Sequence, residues 1–243
     1  MKIDRVILSC THDEYYDYFD IVSKAWLKMG IKPTLFLITD KKIVKNKNII
    51  QFNIENVGKP FIAQNIRLLA PSLFPNDISI ISDIDMMPLS EDYFQKNIKS
   101  YDDDNFILYR TKVTSENMYP ICYNAAKGTT WSEIFQVGSM EDIQDKLKLW
   151  NPDSYEIEGR NWYLDQILLK QNLDRFEHDN SERLVKLNDN ETKFERLNRT
   201  QMKFLFSKFY DSEKNYSDFH MPKPYVRHKK LIKRVFEANF KES

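Results

Sequence analysis

Apolar residues follow two rhythms along this chain. Continuous short runs at 6–9, 34–39, 78–82 and 106–109 read as strands buried on both faces. Between them the apolar positions recur with helical spacing. Thr11-His12-Asp13-Glu14 has the spacing of a capping box and predicts a helix start. Tyr18, Val22, Ala25, Trp26 and Met29 then share one helical stripe, which Gly30 ends. Strand, helix and strand with short joints predict a βαβ unit in a parallel sheet. Lys59-Pro60 opens a further helix with Ile62, Ile66 and Leu69 inward. Helices are predicted around 130–135, 139–149 and 162–170, and a late strand over 183–187. The acidic run 101–105 reads as a solvated turn, and no internal repeat or low-complexity linker is visible.

Composition narrows the class. With 243 residues, 42% of them hydrophobic, the chain can bury a core without disulfides. Its 36 basic and 36 acidic residues balance, which argues against a nucleic-acid binder. The two cysteines, Cys10 and Cys122, form no CxxC pair and suit a reducing cytoplasmic setting. Residues 1–5 lead directly into a strand, so no signal peptide is expected. No apolar stretch approaches the ~20 residues of a membrane span. The five glycines are dispersed and make neither GxGxxG nor GxxxxGK[ST]. The segment 227–236 is basic and amphipathic; it reads as a solvated helix, with peripheral contact to anionic lipid as the alternative.

Asp83-Ile84-Asp85, after the run 78–82, carries the chemistry. Side chains alternate along a strand, so two acids at i and i+2 should share one face of the sheet. Neighbouring carboxylates repel unless a cation lies between them. Oxygen ligands favour a hard ion such as Mn²⁺ or Mg²⁺, which keeps open positions for phosphates. Ser9, Cys10, Thr11 and Asp40 also follow strand ends, where open α/β sheets bind ligands.

A resemblance emerges from longer stretches. Gln64-Asn65-Ile66-Arg67-Leu68-Leu69-Ala70-Pro71, leading into Ile80-Ile81-Ser82-Asp83-Ile84-Asp85-Met86-Met87-Pro88-Leu89, resembles the donor-site core of GT-A glycosyltransferases. More narrowly, it is similar to small glycosyltransferase domains of large algal viruses. Leu8-Ser9-Cys10-Thr11-His12-Asp13-Glu14-Tyr15-Tyr16, Cys122-Tyr123-Asn124-Ala125-Ala126-Lys127-Gly128, Trp162-Tyr163-Leu164-Asp165-Gln166 and Phe219-His220-Met221-Pro222-Lys223-Pro224-Tyr225 extend it, so that it spans residues 6 to 225, nearly the whole chain.

The resemblance implies a single Rossmann-like GT-A domain over 1–243, with a mostly parallel central sheet flanked by helices. A nucleotide-sugar half would cover about 1–110, an acceptor and catalytic half about 111–226, and a basic helix 227–243. It implies Asp85 as main ligand of Mn²⁺ or Mg²⁺, Asp83 on the metal, its water or the ribose, and His220 as third ligand. Lys223 and Arg67 would face the donor, with Ser9, Cys10, Thr11 and Asp40 near the nucleoside. Asp165 would be the base of an inverting reaction, or a sugar-contacting residue of a retaining one. Glu158 and Asp153 are reserve bases. Trp131, Trp162 and Tyr123 are candidates for an acceptor-stacking platform. The implied reaction moves a sugar from a nucleotide sugar, UDP-linked by preference, to a glycan or glycoconjugate. Two rivals are a pyrophosphorylase or phosphohydrolase, disfavoured by the missing Gly-rich loop, and a non-catalytic nucleotide-sugar binder.

Overall fold

A computed structural model describes residues 1–11, 15–42, 46–111, 116–201 and 215–240. Strand β1 (Arg5–Thr11) pairs in parallel with β2 (Lys32–Ile38), from Arg5 opposite Lys32 to Thr11 opposite Ile38. Helix α1 (Phe19–Lys28) joins them. Thr11 is the last residue of β1; the rest of the expected capping box, 12–14, lies outside the described residues. The helix begins instead after a 3₁₀ turn, Tyr16–Tyr18. The predicted stripe holds, because Tyr18, Val22, Ala25, Trp26 and Met29 are all buried. Gly30 adopts φ +72°, the left-handed conformation that ends a helix at little cost for glycine.

Two layers of pairing follow. A seven-stranded sheet runs β3-β2-β1-β4-β7-β6-β8. Its added strands are β3 (Ile49–Phe52), β4 (Ile78–Ile81), β6 (Phe106–Leu108), β7 (Asn124–Lys127) and β8 (Leu184–Lys186). Only β7 runs against its neighbours, so the sheet is mostly parallel, as expected. A small sheet is ordered β5-β10-β9, from β5 (Met86–Pro88), β9 (Glu195–Asn198) and β10 (Tyr216–His220).

The acidic pair is not on a strand. Ser82 makes the last bond to β1, N–H to Ile7 O at 3.2 Å, and the chain then leaves the sheet. A turn closed by Met86 N–H on Asp83 O, 3.2 Å, carries both acids into the small sheet. Period-2 alternation therefore does not apply to them, and the two carboxylates face different partners.

Helix α2 (Lys59–Leu69) packs on β1 and β2, with α3 (Glu91–Gln95) following β5. Helices α4 (Gly128–Phe135), α5 (Met140–Trp150) and α6 (Leu164–Asp179) follow β7. Ser139 caps α5 in a capping box with Asp142. Gly128 is required by space: a Cβ there would sit 2.1 Å from Phe74 O. Trp131 and Tyr123, expected to stack on an acceptor, are wholly buried. Trp131 packs on Phe106 and Phe135, and Tyr123 on Trp26 and Phe94. They are core residues, and of the expected platform only Trp162 reaches the cleft.

After the short helix α7 (Asp189–Thr192), the small sheet leads to α8 (Tyr225–Asn239). This helix buries Tyr225, Ile232 and Val235 and exposes Arg227, Lys229, Lys230, Lys233 and Arg234. Among the described residues, no helix is long and apolar enough to cross a membrane.

Candidate active site

A cleft of about 720 Å³ opens where β1, α2, the Asp83–Asp85 turn, α6 and the small sheet meet. Ser9, Cys10 and Thr11 line it from the end of β1, and Arg67 from α2. Asp83 and Asp85 line it from the turn, Asp165 from the first turn of α6, and His220 and Lys223 from the end of β10 and beyond. Nine of the sequence-predicted site residues thus converge. Asp40 does not: it is exposed and pairs with Asn53 and with Lys59 Nζ at 2.5 Å. Glu158 lines the cleft, and Asp153 does not.

Arg67 ties the centre together. Its Nη1 donates to Asp83 Oδ1, and its Nη2 donates to Asp165 Oδ2 at 3.2 Å. Burial alone would loosen the guanidinium's hold on its proton, but the flanking carboxylates of Asp83 and Asp165 more than offset this. The second Asp83 oxygen accepts the Cys122 thiol at 3.1 Å, and Asp83 N–H donates to the same sulfur at 2.9 Å. Burial would raise the Asp83 carboxyl, yet Arg67 and the thiol outweigh it and hold it below its ordinary value. Asp165 goes the other way. Burial dominates the pull of Arg67 and lifts its carboxyl from 3.8 to about 6.

Asp85 faces the small sheet. Met86 pairs with His220 across β5 and β10, which sets His220 Nε2 3.5 Å from Asp85 Oδ2. Arg199 Nη1 lies 3.4 Å from the same oxygen. Lys223 Nζ sits 4.7 Å above the Tyr15 ring and contacts its hydroxyl. Ser9 Oγ donates to Ala63 O on α2, and burial pushes the Cys10 thiol up to about 12.

The carboxylate oxygen of Asp85 is a donor that suits Mn²⁺ or Mg²⁺, whereas the imidazole nitrogen of His220 suits a less hard first-row ion, so the pair fits Mn²⁺ better than Mg²⁺. Asp83 does not join them, since both its oxygens are engaged by Arg67 and Cys122. Among the described residues no three His, Cys, Asp or Glu side chains converge as a metal cluster. Asp85 and His220 thus lie side by side, while Asp83 is turned to Arg67 and Cys122.

Sequence reasoning missed Arg199 altogether. Cys122 belonged to a resembling segment but had no assigned role. Neither has a local signal, because each meets its acid only through strand pairing.

Solved structures show the same architecture. A glycosyltransferase involved in glycosylating the major capsid of PBCV-1 superposes with a TM-score of 0.50 at 10% identity, covering 95% of this chain and 99% of that one. The chain has a glycosyltransferase fold. The bifunctional WbbM transferase in its apo form gives a TM-score of 0.50 at 10% identity, over 100% of this chain and 50% of that one. The glycosyltransferase GlyE of Streptococcus pneumoniae TIGR4 gives 0.49 at 11% identity, over 100% of this chain. The chain spans 61% of GlyE and half of WbbM. No family model and no curated protein sequence matches it.

Proposed function

We propose that this protein is a metal-dependent glycosyltransferase. It moves a sugar from a nucleotide sugar, UDP-linked by preference, to a hydroxyl of a glycan or glycoconjugate. What supports this is one convergence in a glycosyltransferase fold: Asp85 beside His220, and Arg67 between Asp83 and Asp165, on one cleft. Asp85 and His220 would seat Mn²⁺ or Mg²⁺, which when bound offsets charge on the leaving diphosphate as a Lewis acid. Lys223 adds a point charge toward the diphosphate. Ser9, Cys10 and Thr11 border the nucleoside end. Trp162 and exposed Ile157 offer the acceptor an apolar wall.

In the inverting reading, Asp165 takes the proton of the acceptor hydroxyl as its oxygen attacks the anomeric carbon. The bond to the diphosphate breaks, and its electron pair leaves with the nucleotide. A carboxyl raised to about 6 is ionised at neutral pH and still basic enough for the task. A second reading, retention, draws on the occupancy of both Asp165 oxygens by Arg67 and by Gln166 N–H, with Gln166 also facing the cleft. There Asp165 and Gln166 would hold sugar hydroxyls.

The cations of α8 offer a peripheral surface for anionic lipid. The two free, buried cysteines suit a reducing compartment such as the cytoplasm.

The test is Mn²⁺-dependent release of nucleoside diphosphate from a panel of UDP- and GDP-sugars, followed by NMR of the product anomer. Asp85→Asn should abolish turnover and leave the melting temperature nearly unchanged. Normal turnover by that variant would refute the metal seat, and the product anomer separates inversion from retention.

A further inference from the structure

Arg199 stands one residue beyond β9, which pairs in parallel with β10 so that Asn198 lies opposite His220. That pairing brings the guanidinium to Asp85 Oδ2, the oxygen that also lies 3.5 Å from His220 Nε2. Its situation differs from that of Arg67. Arg67 is 6% exposed and clamped between two carboxylates, whereas the Arg199 side chain is 33% exposed and holds Asp85 through one long contact of 3.4 Å. Such a single-point, partly exposed pair is weak and easily exchanged. The guanidinium keeps its charge in any surroundings, so it leaves a carboxylate only for another anion or for water.

A divalent ion seated by Asp85 and His220 would need the oxygen that Arg199 now occupies. Two cations at one carboxylate oxygen repel. Once displaced, Arg199 remains on the wall of the same cleft, where the proposed donor brings its diphosphate. A phosphate offers a guanidinium two parallel charge-assisted hydrogen bonds, better than its present contact.

We infer that Arg199 is an exchangeable counter-cation: it holds Asp85 while no ion is bound, gives way to the ion, and then binds the donor's diphosphate. Ion and nucleotide binding are thereby coupled through one side chain. The ion releases Arg199 for the diphosphate, and the diphosphate draws Arg199 off Asp85, so each strengthens the other's affinity by the same factor. The inference rests on the proposed donor site.

The test is equilibrium binding by the full chain, with Mn²⁺ followed by electron paramagnetic resonance and UDP by calorimetry. Arg199→Gln should bind Mn²⁺ alone more tightly than the wild type, by roughly two- to fivefold, the loss of one weak competing pair. With Mn²⁺ saturating, it should bind UDP more weakly by roughly tenfold, the loss of a charged hydrogen bond. Arg199→Lys keeps the charge without the fork; it should restore the wild-type Mn²⁺ affinity but not that for UDP. Ligand-free melting of both variants controls for folding. If the wild type binds Mn²⁺ and UDP but Arg199→Gln matches it in Mn²⁺ affinity, or binds Mn²⁺ more weakly, the exchange is refuted and the donor site stands. Unchanged UDP affinity in that variant refutes the diphosphate contact and with it the exchange. A wild type that binds neither ligand overturns the donor site and this inference together.

Discussion

Asp165→Asn removes a charge that the fold keeps at a cost. Asp165 is 2% exposed, and burial lifts its carboxyl from 3.8 to about 6 in spite of Arg67. The folded protein therefore holds this proton more tightly than the unfolded chain does. Between the two values the native state binds more protons, so the group's contribution to stability falls as pH rises. A shift of roughly two units amounts to about 3 kcal/mol, complete once the pH is well above 6. Between about pH 4.5 and about pH 7.5, about 2 kcal/mol of this lies within reach of measurement. Asparagine does not titrate. The depressed carboxyl of Asp83 acts in the opposite sense, but it is present in both proteins and largely cancels in their difference. Urea unfolding of wild type and variant at the two pH values gives that difference directly. Stability of Asp165→Asn relative to wild type should improve by about 2 kcal/mol from the lower pH to the higher. A gap that stays constant would show that Asp165 titrates as an ordinary carboxyl and would sink the burial argument. On the proposed inverting reading, with Asp165 as base, wild-type turnover should fall as the pH drops below about 6, about tenfold per unit once Asp165 is mostly protonated.

Two further substitutions test the architecture around the cleft. Arg67→Met leaves Asp83 and Asp165 without their shared cation and should cost about 3–5 kcal/mol, read by chemical denaturation. Stability equal to wild type would mean that the two carboxylates are solvated rather than held by Arg67. Gly128→Ala places a methyl 2.1 Å from Phe74 O and 2.6 Å from Phe74 C, both backbone atoms, and should cost at least about 1–3 kcal/mol. An unchanged unfolding midpoint would show that α4 can move away from the loop that carries Phe74, between α2 and β4.

Much of the frame was legible along the chain, and for a definite reason. β1, β2 and β4 lie inside a sheet covered by helices, so they appear as unbroken apolar runs, and α1 shows its buried stripe. The strands that escaped notice lack that mark. β7 reads Asn-Ala-Ala-Lys, with nothing bulky to signal burial. β10 contains Asp218, wholly buried yet charged, which only a surface position would suggest from sequence. Its burial is possible because Arg110, Arg196 and Tyr123 reach its two oxygens from other segments and the adjacent Ser217 hydroxyl adds a further hydrogen bond. Aromatic residues misled for the converse reason: Tyr123 and Trp131 carry no sign of whether a ring faces a ligand or the core.

The sequence by itself determined the alternation of strands and helices, the place of the acids beyond β4, and the cluster of site residues at strand ends. These depend on neighbours a few residues apart, where periodicity speaks. Tertiary structure decided which partner each carboxylate meets. Asp83 was turned to Arg67 and Cys122, Asp85 to His220 and Arg199, and Asp40 away from the cleft. Arg199 is 114 positions from Asp85 and reaches it only because β5, β10 and β9 lie side by side. Charge pairing across such distances, and the desolvation that goes with it, arises from strand pairing that no local pattern encodes.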